Sequence, residues 1–227
     1  MRLSRGARLL AVCLAAFSAV AFASEIAAGR LLIAKRDLTD PNFAETVILL
    51  TSYDREGAMG LILTRPVNVR VSRVFPEIPK ASGRRDHVLA GGPVQRNAIF
   101  ALVRSQEQFD DSKRVLGEVY LATSRSSFEK AIGEEMDSSA FRVYAGYSGW
   151  GPSQLDREME MGAWAVLGAT PDLVFDPDPE GLWFKLIKRT ELSIAQRVDQ
   201  PVSELYSMVS AITRKVQEGR ITRIPHR

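Results

Sequence analysis

The sequence predicts an α+β fold. Three observations lead there: short apolar or β-branched runs recur along the chain, neighbouring runs are joined by hairpin-like turns, and segments with helical period are few. Strands that follow one another through turns rather than crossover helices exclude a repeated βαβ plan. At 227 residues and 45% hydrophobic composition, the chain suits one globular domain with a sizeable core and an appendage.

The elements follow in order. "GRLLIA" from Gly29 reads as a short apolar strand, closed by a polar loop in which Asp40-Pro41 is a breaker. "TVILLTSY" (Thr46–Tyr53) and "AMGLILTRP" form a hairpin about the turn "DREG", with Pro66 ending the second strand. "VRVSRVFPEIP" fits either a short helical turn or an edge segment. "HVLAGGPV" is a strand running into a double-glycine turn, "NAIFALVR" and "EVYLATS" are strands, and Ser105–Arg114 between them is a polar loop. Ser124–Glu135 is a helix, because Phe128, Ala131 and Ile132 fall three and four apart behind Ser124 as N-cap. "AFRVYAGY" is a strand. Ser153–Met161 is a helix in which Ser153 caps, Asp156 makes an imperfect capping box and Gly162 ends the run. "AWAVLGA" is a strand, Pro171–Asp176 a turn and "GLWFKLIKR" a short helix. The core domain thus covers residues 26–189. Residues 190–227 form a helical extension whose apolar stripe is Val202, Leu205, Met208, Val209, Ile212 and Val216. With little aromatic weight, that stripe suits packing on protein better than a membrane interface.

The N-terminus has another character. Arg2, Arg5 and Arg8 precede the apolar run Leu9–Ala23, which ends in Ala21-Phe22-Ala23, so residues 1–23 read as a signal peptide. The run is shorter than the ~20 residues that span a bilayer, and no stable transmembrane segment is expected in the mature chain. The leader carries three of the 30 basic residues and none of the 27 acidic ones, which leaves the mature chain neutral. The basic footprint of a nucleic-acid binder is then missing, and nucleic acid is not an expected partner. Cys13, the sole cysteine, leaves with the leader.

Four stretches, "GRLLIAKRDLTDPNFAETVILL", "GAMGLILTRP", "LAGGPV" and "GYSGWGPSQLDREMEMGAW", together resemble the YqgE/AlgH family over Gly29–Arg189. The resemblance implies a mixed, branched sheet that curls into a small barrel flanked by helices. It implies little about activity, since family members are described as of unknown function or labelled transcriptional regulators. Thr64 stands where the family has asparagine, and most members lack a leader.

Candidate chemistry is sparse. The two histidines, His87 and His226, do not make a Ser-His-Asp arrangement, and no His-rich spacing suits zinc or iron. "DPDPEG" (Asp176–Gly181) reads as a stiff turn rather than a cation loop. Gly91 and Gly92 suit positive φ or close strand approach rather than a phosphate loop. Arg65 and Arg96, if they converge, would hold a carboxylate or phosphate. Gly149, Trp150 and Gly151 read first as a tight strand-to-helix corner with Trp150 and Trp164 plugging the core, and second as an anion pocket with an aromatic wall. No catalytic residue, metal or cofactor is assigned. The expected function is a non-enzymatic binding or interaction protein of the cell envelope, with an unidentified protein or a small anionic ligand as partner. The alternatives are an anion-binding protein or enzyme using the Arg65, Gly92 and Trp150 motifs, and a transcriptional regulator. The leader predicts a periplasmic or secreted chain beginning at Ser24, against the cytoplasmic location of most of the family. N-terminal sequencing of protein from fractionated native cells is expected to read Ser24 in the exported fraction. A cytoplasmic product retaining Met1 would overturn this.

Overall fold

The structure, a computed structural model, describes residues 26–193 together with Ser210. The expected leader and the apolar stripe of the extension lie outside the described residues. The architecture is α+β: a ten-stranded mixed sheet, curled into a half-barrel, with few helices.

The strands are β1 (Arg30–Ala34), β2 (Val47–Asp54), β3 (Gly57–Ile62), β4 (Pro66–Arg70), β5 (His87–Ala90), β6 (Val94–Arg104), β7 (Ser112–Leu116), β8 (Val119–Ala122), β9 (Phe141–Trp150) and β10 (Trp164–Gly168). Their main path runs β10-β1-β2-β3-β9-β6-β8-β7, and the β4–β5 pair branches from it. The helices are α1 (Val71–Val74), α2 (Arg125–Gly133), α3 (Gln154–Glu160), α4 (Pro171–Val174) and α5 (residues 179–193), with a 3₁₀ turn at Pro79–Gly83.

The β2–β3 hairpin forms because β2 is an apolar run with Val47, Ile48, Leu49 and Leu50 fully buried, turned back at Asp54. Every pair is antiparallel except β5 with β9, which run parallel with Leu89 opposite Tyr144 and Ala90 opposite Ala145. On that same edge of β9, farther along, β3 pairs through Gly60 and Ser148, so the sheet forks there. The curl brings the far end of the sheet back: a Cβ on Gly29, before β1, would lie 2.9 Å from the Val115 carbonyl oxygen of β7.

Alternation along the strands directs one face toward the helices. Ala101 and Val103 of β6, Tyr120 of β8, and Phe141 and Val143 of β9 pack with Phe75, Phe109, Phe128 and Ile132. The Phe75 and Phe128 rings lie 5.2 Å apart. Arg142, on the other face of β9, is buried yet satisfied: it donates to the carbonyls of Ser138, Val174 and Asp176 and lies over the Phe175 ring. Tyr144 beside it is fully buried, and desolvation pushes its phenol pKa up, so it stays neutral at all ordinary pH.

Several elements differ from the sequence reading. The loop expected over Ser105–Arg114 ends early, because Ser112–Leu116 is a strand; as the last strand of the sheet, β7 has only β8 to pair with and tolerates polar residues. Pro66 does not end β3, which stops at Ile62; it opens β4 opposite Leu89, where a missing N–H costs no ladder bond. The expected turn Pro171–Asp176 contains α4, capped by the Thr170 hydroxyl on the Leu173 N–H. Ser153 precedes α3 but is left-handed (φ 56°), and its side chain makes no cap; the Gly151 N–H donates instead to Gln154. Asp156 closes no capping box there: it accepts the Tyr53 hydroxyl. Ser124 does cap α2, accepting the Ser127 N–H at 3.1 Å.

Compactness divides the chain after Trp183. Within the first unit, the Trp183 indole donates to the Ala34 carbonyl and Arg36 lies over its ring. Within the second, from Phe184 on, the helix expected to end at Arg189 continues to residue 193; Lys188 lies over the Phe184 ring, and Phe184 and Leu192 are exposed. Among the described residues no helix is long and apolar enough to cross a membrane.

A candidate anion cleft at the fork of the sheet

The fork of the sheet is made by backbone. The Gly91 N–H donates to the Ala145 carbonyl of β9, and the Gly91 carbonyl accepts both the Ile62 N–H, at the end of β3, and the buried Ser148 hydroxyl. A Cβ on Gly91 would sit 2.2 Å from the Gly146 carbonyl oxygen. Gly92, at φ 155°, lies so close to Tyr147 and Ser148 that a Cβ would stand 2.2 Å from the Tyr147 carbonyl carbon. The double glycine is therefore required for close strand approach, as its spacing suggested.

Just beyond the fork, β6 bulges. Val94 is opposite Tyr147 and Ile99 opposite Ala145, so Gln95, Arg96, Asn97 and Ala98 all face the single residue Gly146. Gln95 is left-handed (φ 44°), a conformation that costs a non-glycine residue free energy. Gly146 (φ 70°) yields space to the bulge, since a Cβ there would lie 3.1 Å from the Arg96 Cα.

A cleft of about 350 Å³ opens at this place, lined by Arg65, Arg96, Ile62, Val67, Ala90 and Ala145, with Asn42 and Gly92 also on its wall. Two of the sequence-singled arginines thus share one cavity although 31 positions apart. They are not equivalent. Arg65 is half-buried and donates to three carbonyls of one turn, Asn42 at 2.6 Å, Pro41 at 3.1 Å and Ala44 at 3.1 Å. Burial lowers its pKa, opposed by the field of Asp40. Its hydrogen-bond partners are neutral, and the carboxylate of Asp40 acts on it through its field. Arg96 is exposed, with no hydrogen bond or ion pair to any described residue.

Gly149, Trp150 and Gly151 are elsewhere. They line a second, shallower groove with Tyr147, Asp54 and Glu56, so the residues singled out as one candidate set divide between two places. The groove's charged lining is acidic, which opposes an anion, and α3 has only seven residues. Instead, β9 carries on to Trp150, and Trp150 and Trp164 are buried as core plugs. Both indoles donate to one oxygen of Glu158, at 2.9 Å each, and Gln154 donates to the other. The Phe43 ring stacks on Trp150 at 6.0 Å and meets Trp164 edge-on at 5.8 Å.

Glu158 and Phe43 escaped the sequence reading. Glu158 was visible as a carboxylate on the helix between two tryptophans; nothing in the sequence pointed to Phe43. Other candidates have local structural tasks. Asp176 accepts the Asp178 N–H, and Asp178 the Gly181 N–H. Thr64 is buried, and its hydroxyl accepts the Val47 N–H. His87 is exposed at the start of β5, in register with Arg70. Among the described residues no cluster of three His, Cys, Asp or Glu could hold a metal ion.

With fold and cleft in place, the class of protein is defined: a family profile described as AlgH-like matches residues 31–195, and the chain belongs to that family, whose function is unknown. A UPF0301 protein of Streptomyces avermitilis is 35% identical over 182 residues, covering 76% of this chain and 91% of its own length. One of Vibrio vulnificus is 28% identical over 177 residues, covering 74% and 94%. The solution structure of the AlgH protein from Pseudomonas aeruginosa is similar at TM-score 0.60 and 29% identity, covering 74% of this chain and 92% of that one. A crystal structure from Corynebacterium diphtheriae gives TM-score 0.61 and 27% identity over 73% and 87%.

The Glu158 clamp generates a stability prediction. Glu158→Gln removes the charge that strengthens two indole bonds and is expected to cost about 1–3 kcal/mol in urea unfolding. Glu160→Gln, exposed on the same helix, is expected to change stability by less than about 0.5 kcal/mol. Equal midpoints for the two variants would contradict the clamp.

Proposed function

We propose that the domain is a non-enzymatic binding protein that holds a small anion in the Arg65–Arg96 cleft and works in the cell envelope. The observation that carries this reading is the β6 bulge, where a left-handed Gln95 places Arg96 on the wall of the cavity that Arg65 already lines. Bulges beside cavities commonly re-aim a side chain, and backbone strain collects at such sites. An anion would add a directly bonded ion-pair partner to a half-buried Arg65 that three neutral carbonyls hold and that Asp40 reaches only through its field.

The chemistry of the wall supports holding over catalysis. Guanidinium groups stay protonated and donate hydrogen bonds, but they do not take up a proton near neutral pH. Ile62, Val67 and Ala145 add an apolar surface, and about 350 Å³ is at the small end of ligand-pocket volumes. The ligand that fits is a compact apolar body with a carboxylate or phosphate. The envelope location rests on the Arg2/Arg5/Arg8 leader pattern.

Phenyl phosphate serves as probe. Isothermal titration is expected to show saturable binding to the full chain. Arg96→Gln, at an exposed position, is expected to weaken binding about ten- to hundredfold, the worth of one charge-assisted hydrogen bond. No binding to the wild type, or equal binding to the variant, would overturn the reading.

A further inference from the structure

The Arg65 guanidinium has two tasks that draw on the same donors, because both Nη2 hydrogens already go to turn carbonyls and a bidentate ligand would need one of them. It lines the cleft, and through its carbonyl contacts it also ties down the turn Pro41–Glu45. That turn has few other ties. Phe43 and Ala44 donate to the Asp40 carbonyl, the Asn42 N–H donates to the Asp40 carboxylate, the Thr46 hydroxyl donates to the Phe43 carbonyl, and Glu45 at its end is left-handed (φ 57°). Its one large apolar anchor is Phe43, whose ring lies against Trp150 and Trp164. Asn42 lines the cleft while its neighbour Phe43 touches the tryptophans. A single turn thus joins the cavity to the aromatic cluster.

Building on the reading of the cleft as an anion site, we infer that an anion bound there is sensed by the tryptophan pair, because ligand and turn compete for Arg65. A hydrogen bond from a guanidinium to an anion is roughly twice as strong as one to a neutral carbonyl, and a bidentate anion would recruit the fork as a whole. Rotating the fork toward a ligand lengthens its bonds to the Pro41 and Ala44 carbonyls. Once these weaken, the turn is held chiefly by the Phe43 contact and the Asp40 turn bonds, and the ring shifts against Trp150 and Trp164. Neither tryptophan lines the cleft. Their response would therefore be transmitted rather than direct.

The indole N–H resonances separate this chain's three tryptophans, each with its own environment: Trp150 and Trp164 on Glu158, Trp183 on the Ala34 carbonyl. In ¹H–¹⁵N spectra of the full chain, titration with phenyl phosphate is expected to move the Trp150 and Trp164 peaks saturably and leave Trp183 in place. Inorganic phosphate, which has no ring of its own, is expected to move them in the same direction at higher concentration. Phe43→Leu is expected to bind phenyl phosphate within about twofold of wild type by calorimetry, with the two peak shifts largely lost. Arg65→Lys keeps the charge without the three-carbonyl fork, and is expected to show peaks displaced toward the bound position before any ligand is added. Binding by calorimetry with stationary Trp150 and Trp164 peaks would overturn the coupling and leave the anion site standing. Shifts undiminished in Phe43→Leu would overturn it as well. Absence of binding by either probe would remove the anion reading and the coupling together.

Discussion

The contact of Gly91 and Gly92 with the β9 backbone is the constraint on which the rest of the structure depends. At that point two strands, β3 and β5, share one edge of β9, and a peptide group must fit where side chains would otherwise stand. Gly91 ties all three together through one donor and one acceptor: its N–H to Ala145, its carbonyl from Ile62 and Ser148. Buried peptide groups left unpaired are costly, so an unforked sheet here would leave edges without partners. The fork meets the need, and it does so only because no Cβ intrudes.

The consequences extend along β9 in both directions. Toward its start, β9 supplies Phe141 and Val143 to the layer under α1 and α2, and Arg142 to a set of carbonyls on the opposite face. At the fork, Gly146 gives way to the β6 bulge, which sets Arg96 beside the cavity. Toward its end, Trp150 joins Trp164 and Phe43 under the Glu158 carboxylate. One strand thus bears the helix-side core, the cleft and the aromatic cluster. That shared origin is why a turn held by Arg65 and Phe43 can link the last two.

How much of this could be read from the sequence depended on whether a signal was local. The apolar runs of β1, β2 and β8 bury their side chains nearly completely, and sequences of Leu, Ile and Val announce that. β7 was missed because Ser112, Lys113 and Arg114 on an outermost strand look like loop residues. The end of β9 was missed for the opposite reason: glycines placed for neighbouring backbones look like turn residues. Ser153 sat at a capping position, but its backbone is left-handed and its side chain makes no cap, and no local pattern conveys that. In the site, Arg65 and Arg96 were legible as cations beside glycine and proline turns. Their difference was not: three carbonyls engage Arg65 from a turn more than twenty positions away, and the bulge that carries Arg96 arises from pairing with β9.

The most direct measurement on the fork is native-state hydrogen exchange at the Gly91 and Ile62 amides, followed against denaturant. If the fork organises the sheet, both amides exchange only through the global unfolding of the domain, with the free energy and denaturant slope of the slowest amides in β2 and β9. Exchange of Gly91 and Ile62 by a local opening of low free energy, insensitive to denaturant while β2 and β9 stay protected, would contradict the account.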